Sequence, residues 1–132
     1  MKCAINMIGL VTSNLLEMRK FYTEVMGFNI LLDMDSYIEF SSDNVRFVLT
    51  THNVMSQATD HESYNKKPIG QRVELAFLVN TPDEVDTRYK ELVEKGATPI
   101  KQPENMPWNQ RAAFFADPDG NIHELFAELS TA

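Results

Sequence analysis

The 132-residue chain contains a single cysteine, Cys3, which has no partner for an internal disulfide. Small secreted domains commonly depend on such bridges, so the composition indicates a reducing compartment, and we expect the cytoplasm.

No apolar run approaches the roughly 20 residues that a membrane-spanning helix needs, and we predict no membrane segment. No basic run is longer than two residues, and the formal net charge is −7. Because nucleic acid binding needs concentrated positive charge, we do not expect a nucleic acid partner.

The first half of the chain opens with a strand pattern over residues 5–11 and a helix pattern that begins at Asn14, a favourable N-cap. Gly27 suits the left-handed residue that closes a helix. Five apolar residues recur at spacings of three and four, which places them on one helix face: Leu15, Met18, Phe21, Tyr22 and Val25.

The second half repeats these cues in the same order. Residues 72–79 predict a strand, and Thr81, Pro82 and Glu84 form the start of a helix with a capping box. Gly96 ends that helix. The sequence therefore predicts an internal repeat, in which each half of the chain forms the same structural unit.

Three strand patterns follow each helix, so we predict an α+β fold of two βαβββ modules. The predicted domain is one unit over 1–132, with module 1 at about 1–52, a connecting loop at 52–70 and module 2 at about 71–129. The loop is polar and lacks periodicity, and we interpret it as either a cavity wall or a flexible linker. The strands are predicted over residues 28–34, 37–41, 45–51, 97–101, 111–116 and 121–128.

Four sequence phrases resemble those of the glyoxalase/bleomycin-resistance proteins, also called the vicinal oxygen chelate superfamily. The phrase FYTEVMGF at 21–28 is similar to the end of the family's first helix. The closing phrases are PWNQR at 107–111, FFADPDGN at 114–121 and ELF at 124–126. Together with the doubled layout, the resemblance covers nearly the whole chain.

The resemblance implies a half-barrel in which four strand residues can bind one divalent metal ion, and it implies a homodimer. The four metal-ligand positions of the family fall here on Met7, Val48, Glu74 and Glu124. Methionine is a weak, soft donor and valine has no lone pair to offer. We therefore predict that no metal or other cofactor is bound, with one weakly held divalent metal at Glu74 and Glu124 as the alternative.

Residues that share a strand face with these positions are candidates for contact with a ligand, and Trp108 in the closing phrases is a candidate cavity wall that could stack on a planar ligand. The predicted ligand-binding set is Met7, Arg46, Val48, Arg72, Glu74, Trp108, Glu124 and Phe126. One interpretation pairs Arg46 and Arg72 with the two glutamates as a partly buried ionic network. In the other, Glu74 and Glu124 bind a cationic or hydroxylated ligand or act as catalytic bases.

These observations leave three hypotheses for function. The first is metal-free binding of a small molecule, for which a cationic and amphiphilic compound is the candidate, similar to the bleomycin-resistance branch of the family. The second is a lyase or isomerase of the glyoxalase type, using a metal or Glu74 and Glu124 as acid and base. The third is a structural module whose cavity is filled by its own side chains.

Overall fold

The computed structural model describes residues 2–130 and divides into two compact units between Ile69 and Gly70. In the first unit, helix α1 (Leu15–Lys20) runs directly into a π-helical turn (Phe21–Val25). The strands of this unit are β1 (Met7–Thr12), β2 (Ile30–Asp33), β3 (Tyr37–Phe40) and β4 (Arg46–Thr51). They form one sheet in the order β1-β4-β3-β2, with β1 parallel to β4 and the other neighbours antiparallel.

The second unit repeats this connectivity around helix α3 (Pro82–Lys95). Its strands are β5 (Ala76–Leu78), β6 (Thr98–Met106), β7 (Gln110–Ala116) and β8 (Ile122–Glu128). They are ordered β5-β8-β7-β6, and β5 lies parallel to β8. The prediction of an α+β fold with two βαβββ modules is therefore confirmed.

Each sheet packs one face against its own helix. In the first unit, Tyr22 of the π-helical turn lies 5.1 Å from the ring of Phe47 and 6.1 Å from that of Phe40, between centroids. In the second, Val85 and Leu92 of α3 are buried, and α3 contacts β6, β7 and β8. Because side chains alternate along a strand, the intervening residues occupy the opposite face of each sheet.

The segment predicted as a loop at 52–70 is partly helical, which corrects the prediction. It contains α2 (His52–Thr59) and a short 3₁₀ turn (Glu62–Asn65). The hydroxyl of Thr51 accepts a hydrogen bond from the backbone N–H of Val54 at 3.1 Å, which caps α2. The helix was missed because it is short and mostly polar, and none of its residues is buried.

Two further local predictions need correction. Asn14 precedes α1 but makes no side-chain cap; instead its own backbone N–H donates to the Thr12 hydroxyl at 2.8 Å. Strand β6 continues to Met106, beyond the predicted end at 101, because it pairs with β7 up to the contact between Met106 and Gln110. Within residues 2–130, no helix is long and apolar enough to cross a membrane.

Candidate functional site

Glu74 and Glu124 lie side by side in the second unit, on the face of its sheet that points away from α3. Glu124 is central on β8, between Ala76 of β5 and Phe114 of β7. Glu74 lies just before β5, and its carboxyl group is within hydrogen-bonding reach of the Glu124 carboxyl. The structure therefore brings together the two acids that the sequence analysis singled out.

The pKa of the Glu124 carboxyl is raised above its ordinary value of 4.5. The largest cause is partial burial, and the nearby charge of Glu74 and a hydrogen bond with it act in the same direction. Loss of the proton from Glu124 is therefore disfavoured while the negative charge of Glu74 is close. A cation placed between the two groups would relieve the same repulsion.

A hollow of about 290 Å³ adjoins this pair, and we call it the carboxyl hollow. Its volume is at the lower end of the roughly 300–1,000 Å³ typical of small-molecule sites, so a compact ligand would fill it. Apolar carbon dominates its walls. The lining residues are Gln71, Arg72, Val73, Glu74, Phe114 and Ile122.

A larger hollow, of about 580 Å³, lies between α3 and the edge strand β6. The residues that line it include Asp86, Tyr89 and Ile100. The Asp86 carboxylate is already engaged, because the Arg111 guanidinium donates to both of its oxygens at 2.8 and 3.0 Å. This groove offers no counterpart to the contacting acids of the carboxyl hollow, so we place the candidate site at Glu74 and Glu124.

Arg46 binds a different acid from those expected. In the first unit its guanidinium donates to a carboxylate oxygen of Glu39 at 2.8 Å and to the Tyr37 hydroxyl at 3.2 Å. The antiparallel pairing of β3 with β4 sets Glu39 opposite Val48, on the same sheet face as Arg46. The predicted pairing of Arg46 with Glu74 or Glu124 is therefore wrong.

Arg72 also departs from the ionic network that the sequence suggested. It lines the carboxyl hollow and is exposed. Within residues 2–130 it forms no ion pair, so the expected Arg72 bridge to either glutamate is wrong. An exposed guanidinium retains its hydration, which removes the need for a partner.

The remaining predicted contact residues are spread over both units. Met7 is 43% exposed on β1, and Val48 is fully buried on β4. Phe126 is half-buried on β8, two residues after Glu124 and on the same face. Trp108 is 57% exposed in the turn between β6 and β7, so a role in ligand contact stays a prediction.

His123 is directed away from Glu124, as the alternation of strand residues predicts. It is buried on the α3 side, with its ring centroid 5.8 Å from that of Phe115. Its Nδ1 accepts a hydrogen bond from the backbone N–H of Leu75 at 3.4 Å, and its Nε2 is 3.6 Å from the Asp117 carboxylate. This imidazole therefore serves the packing of β8 and contributes nothing to the carboxyl hollow.

A sequence profile described as the Glyoxalase/Bleomycin resistance protein/Dioxygenase superfamily matches residues 4–125. The chain belongs to this superfamily. Its similarity to the glyoxalase/bleomycin-resistance proteins, inferred from four sequence phrases, is thereby confirmed.

The uncharacterized protein YraH of Bacillus subtilis is 27% identical over 126 residues, which cover 92% of this chain and 96% of YraH. A crystal structure of a superfamily protein from Nocardioides is 28% identical, with a TM-score of 0.89, and covers all of this chain and 87% of its own. A lactoylglutathione lyase structure from Agrobacterium tumefaciens has a TM-score of 0.75 over 96% of this chain and 94% of its own. At 21% identity, that likeness shows the fold alone.

The metal ion implied by the glyoxalase superfamily can be tested against the donors present. The family positions supply two carboxylates in the second unit, while in the first they supply a thioether and an alkyl group. Glu39 does not restore a donor, because Arg46 already neutralises it. No group of three His, Cys, Asp or Glu that could hold a metal occurs within residues 2–130. The donor set does not fit a family-type metal site.

The raised pKa of Glu124 predicts how stability changes with pH. A carboxyl whose folded pKa exceeds its unfolded pKa contributes stability that is complete below about pH 4.5 and is lost as the pH rises through the folded pKa. We expect Glu124→Gln and the wild type to melt at the same temperature at pH 4. At pH 8 the variant should have the higher Tm. Equal Tm differences at both pH values, measured by calorimetry, would contradict this.

The Glu39–Arg46 pair predicts the opposite pH dependence. Hydrogen bonding to Arg46 holds the pKa of Glu39 below its ordinary value of 4.5, so the pair stabilises the fold above that value and the effect is lost on acidification. We expect Arg46→Met to lower the Tm at pH 7, and more than Arg19→Met, which removes the exposed pair with Asp33. Adding Glu39→Gln to Arg46→Met should recover part of the loss, and no recovery would argue against the pairing.

Proposed function

We propose that this superfamily member binds a small, singly charged cationic amphiphile in the carboxyl hollow and does not transform it. The observation that carries the proposal is the contact between Glu74 and Glu124 beside an apolar wall. A carboxyl pair that gains from a nearby positive charge recognises an amine or amidine. The rings and alkyl groups of Phe114 and Ile122 would hold the apolar part of the ligand.

Binding of a cationic ligand is coupled to the protonation of Glu124. A cation favours the ionised form of Glu124, and the proton favours the neutral form, so each weakens binding of the other. The affinity for a cation should therefore fall as the pH drops through the raised pKa of Glu124. Neutral or anionic ligands of the same shape would gain nothing from ionisation of the pair.

Benzamidine is a suitable probe, because it is a planar monocation with two parallel N–H groups and a phenyl ring. We expect it to bind at pH 8 with a Kd of about 100 µM or tighter, which corresponds to about 5.5 kcal/mol. Benzamide, its neutral isostere, should bind at least tenfold more weakly by isothermal titration calorimetry. Equal affinity for the two probes, or none for benzamidine, would reject the proposed ligand class.

Acid–base catalysis of the glyoxalase type is the second candidate, and the raised pKa of Glu124 favours it. An enzyme of this kind should convert the hemithioacetal of glutathione and methylglyoxal into a thioester. Elemental analysis of the purified protein addresses the metal-dependent version directly. Stoichiometric nickel, zinc or manganese together with turnover would rank catalysis above binding.

We further propose that the protein acts in the cytoplasm as a homodimer. The single cysteine supports the first statement, and the family resemblance supports the second. Sedimentation equilibrium tests the dimer directly, with a monomer mass near 15.1 kDa as the contradicting result.

A further inference from the structure

The segment that carries Glu74 is attached to β8 through side chains rather than by regular strand pairing. The side-chain amide of Gln71 donates to the Gly120 carbonyl at 2.7 Å and accepts from the Ile122 backbone N–H at 3.0 Å. Regular pairing of β5 with β8 begins only at Ala76. Gln71 itself is exposed, so its two hydrogen bonds are not imposed by burial in the core.

The register between β5 and β8 shows which backbone groups the Gln71 side-chain amide replaces. In a parallel ladder, one residue donates to the carbonyl before its partner and accepts from the N–H after it. Extending the pairing of Ala76 with Glu124 backwards would set Val73 opposite Asn121. The Val73 N–H would then donate to the Gly120 carbonyl, and the Val73 carbonyl would accept from the Ile122 N–H. In the structure the Gln71 side chain occupies both of these groups.

This substitution keeps residues 72–74 out of the ladder. Val73 is 63% exposed, and within residues 2–130 its backbone makes no hydrogen bond to β8. The chain rejoins β8 at Leu75, whose carbonyl accepts from the Glu124 N–H at 2.9 Å. Glu74 therefore lies between two residues that are hydrogen-bonded to β8, Gln71 on one side and Leu75 on the other. The segment at 72–74, which is not paired with β8, forms one wall of the carboxyl hollow.

We infer that Gln71 is a positioning residue, whose side-chain amide replaces the Val73 peptide in the ladder and so opens the carboxyl hollow and sets Glu74 beside Glu124. This role deepens the proposed function and rests on it, because positioning Glu74 matters for function only if the carboxyl hollow binds a ligand. The hydrogen bonds of Gln71 form without a ligand. The positioning role can therefore be tested on the free protein as well as on the complex.

Hydrogen exchange of the free protein tests the positioning role independently of any ligand. In Gln71→Ala the anchor before Glu74 is lost, so the Glu124 amide should exchange at least tenfold faster than in the wild type. The Val79 amide, which donates to the Phe126 carbonyl at 2.9 Å, should keep its rate. Unchanged protection of the Glu124 amide would overturn the inference, as would equal acceleration at Val79.

Benzamidine affinity then tests whether Gln71 acts through Glu74. We expect Gln71→Ala to weaken binding at least fivefold in the wild type and less than twofold when Glu74→Gln is already present. Gln102→Ala, an exposed glutamine of β6, is the control and should bind as the wild type does. An undiminished effect of Gln71→Ala in the Glu74→Gln background would overturn the inference. Failure of benzamidine to bind the wild type would reject the proposed function instead. The hydrogen-exchange experiment would still test whether Gln71 positions the segment that carries Glu74.

Discussion

Replacing Glu124 with glutamine should weaken benzamidine binding at pH 8 by about 30-fold, or about 2 kcal/mol. Glutamine keeps the size of the side chain and removes the negative charge from a partly buried position next to Glu74. Glu74 remains, but it is exposed and screened by water, so alone it attracts a cation weakly. Isothermal titration calorimetry or ligand-detected NMR measures this difference.

Glu128→Gln provides the matched control for that experiment. Glu128 lies on the same strand and the same sheet face as Glu124, but at the strand end, where Gln110 donates to its carboxylate at 2.9 Å. The two substitutions change the net charge of the protein equally. If both weaken binding to the same extent, the effect is one of overall charge and the carboxyl hollow is not the binding site.

Replacing Phe115 with alanine should lower the free energy of unfolding by about 3–5 kcal/mol, the usual cost of emptying a large buried aromatic site. Phe115 is fully buried, and its ring centroid lies 6.2 Å from that of Phe77 and 5.8 Å from that of His123. These neighbours hold β5 and β8 together on the α3 side of the sheet. Urea denaturation measures the change.

The control for this core substitution is Trp108→Ala. Trp108 is larger than Phe115 but 57% exposed in a turn, so its loss should cost less than about 0.5 kcal/mol. Comparable destabilisation by the two variants would mean that side-chain size, rather than burial, determines the loss. Phe115→Ala would then carry no information about the packing beneath the site.

The topology was predictable because its signals are local and occur twice. The capping box at the second helix is present as expected, with the Glu84 N–H donating to the Thr81 hydroxyl at 3.3 Å. Gly27 and Gly96 have positive φ values of 88° and 122°, as their places at helix ends require. The placement of Glu124 on the sheet face away from α3 also follows from strand periodicity, because its neighbour His123 is buried on the α3 side. The position of Glu74 does not follow from it, because residues 72–74 lie outside the pairing of β5 with β8.

The ionic partners were not predictable from the same patterns. Glu39 was overlooked because an acid in a short strand is usually solvent-exposed, whereas here it is only 8% exposed beside Arg46. Alternation along β3 and β4 does place both on one face, and the register between these strands would have identified the pair. Gln71 gave no signal at all, because a glutamine before a strand acquires its role only through the register of β5 with β8.

A crystal structure of the protein with bound benzamidine would show whether the two acids bind the cation together. We expect the amidinium within hydrogen-bonding distance of both Glu74 and Glu124, and the phenyl ring against Phe114. An amidinium bound elsewhere, for instance in the groove between α3 and β6, would contradict it.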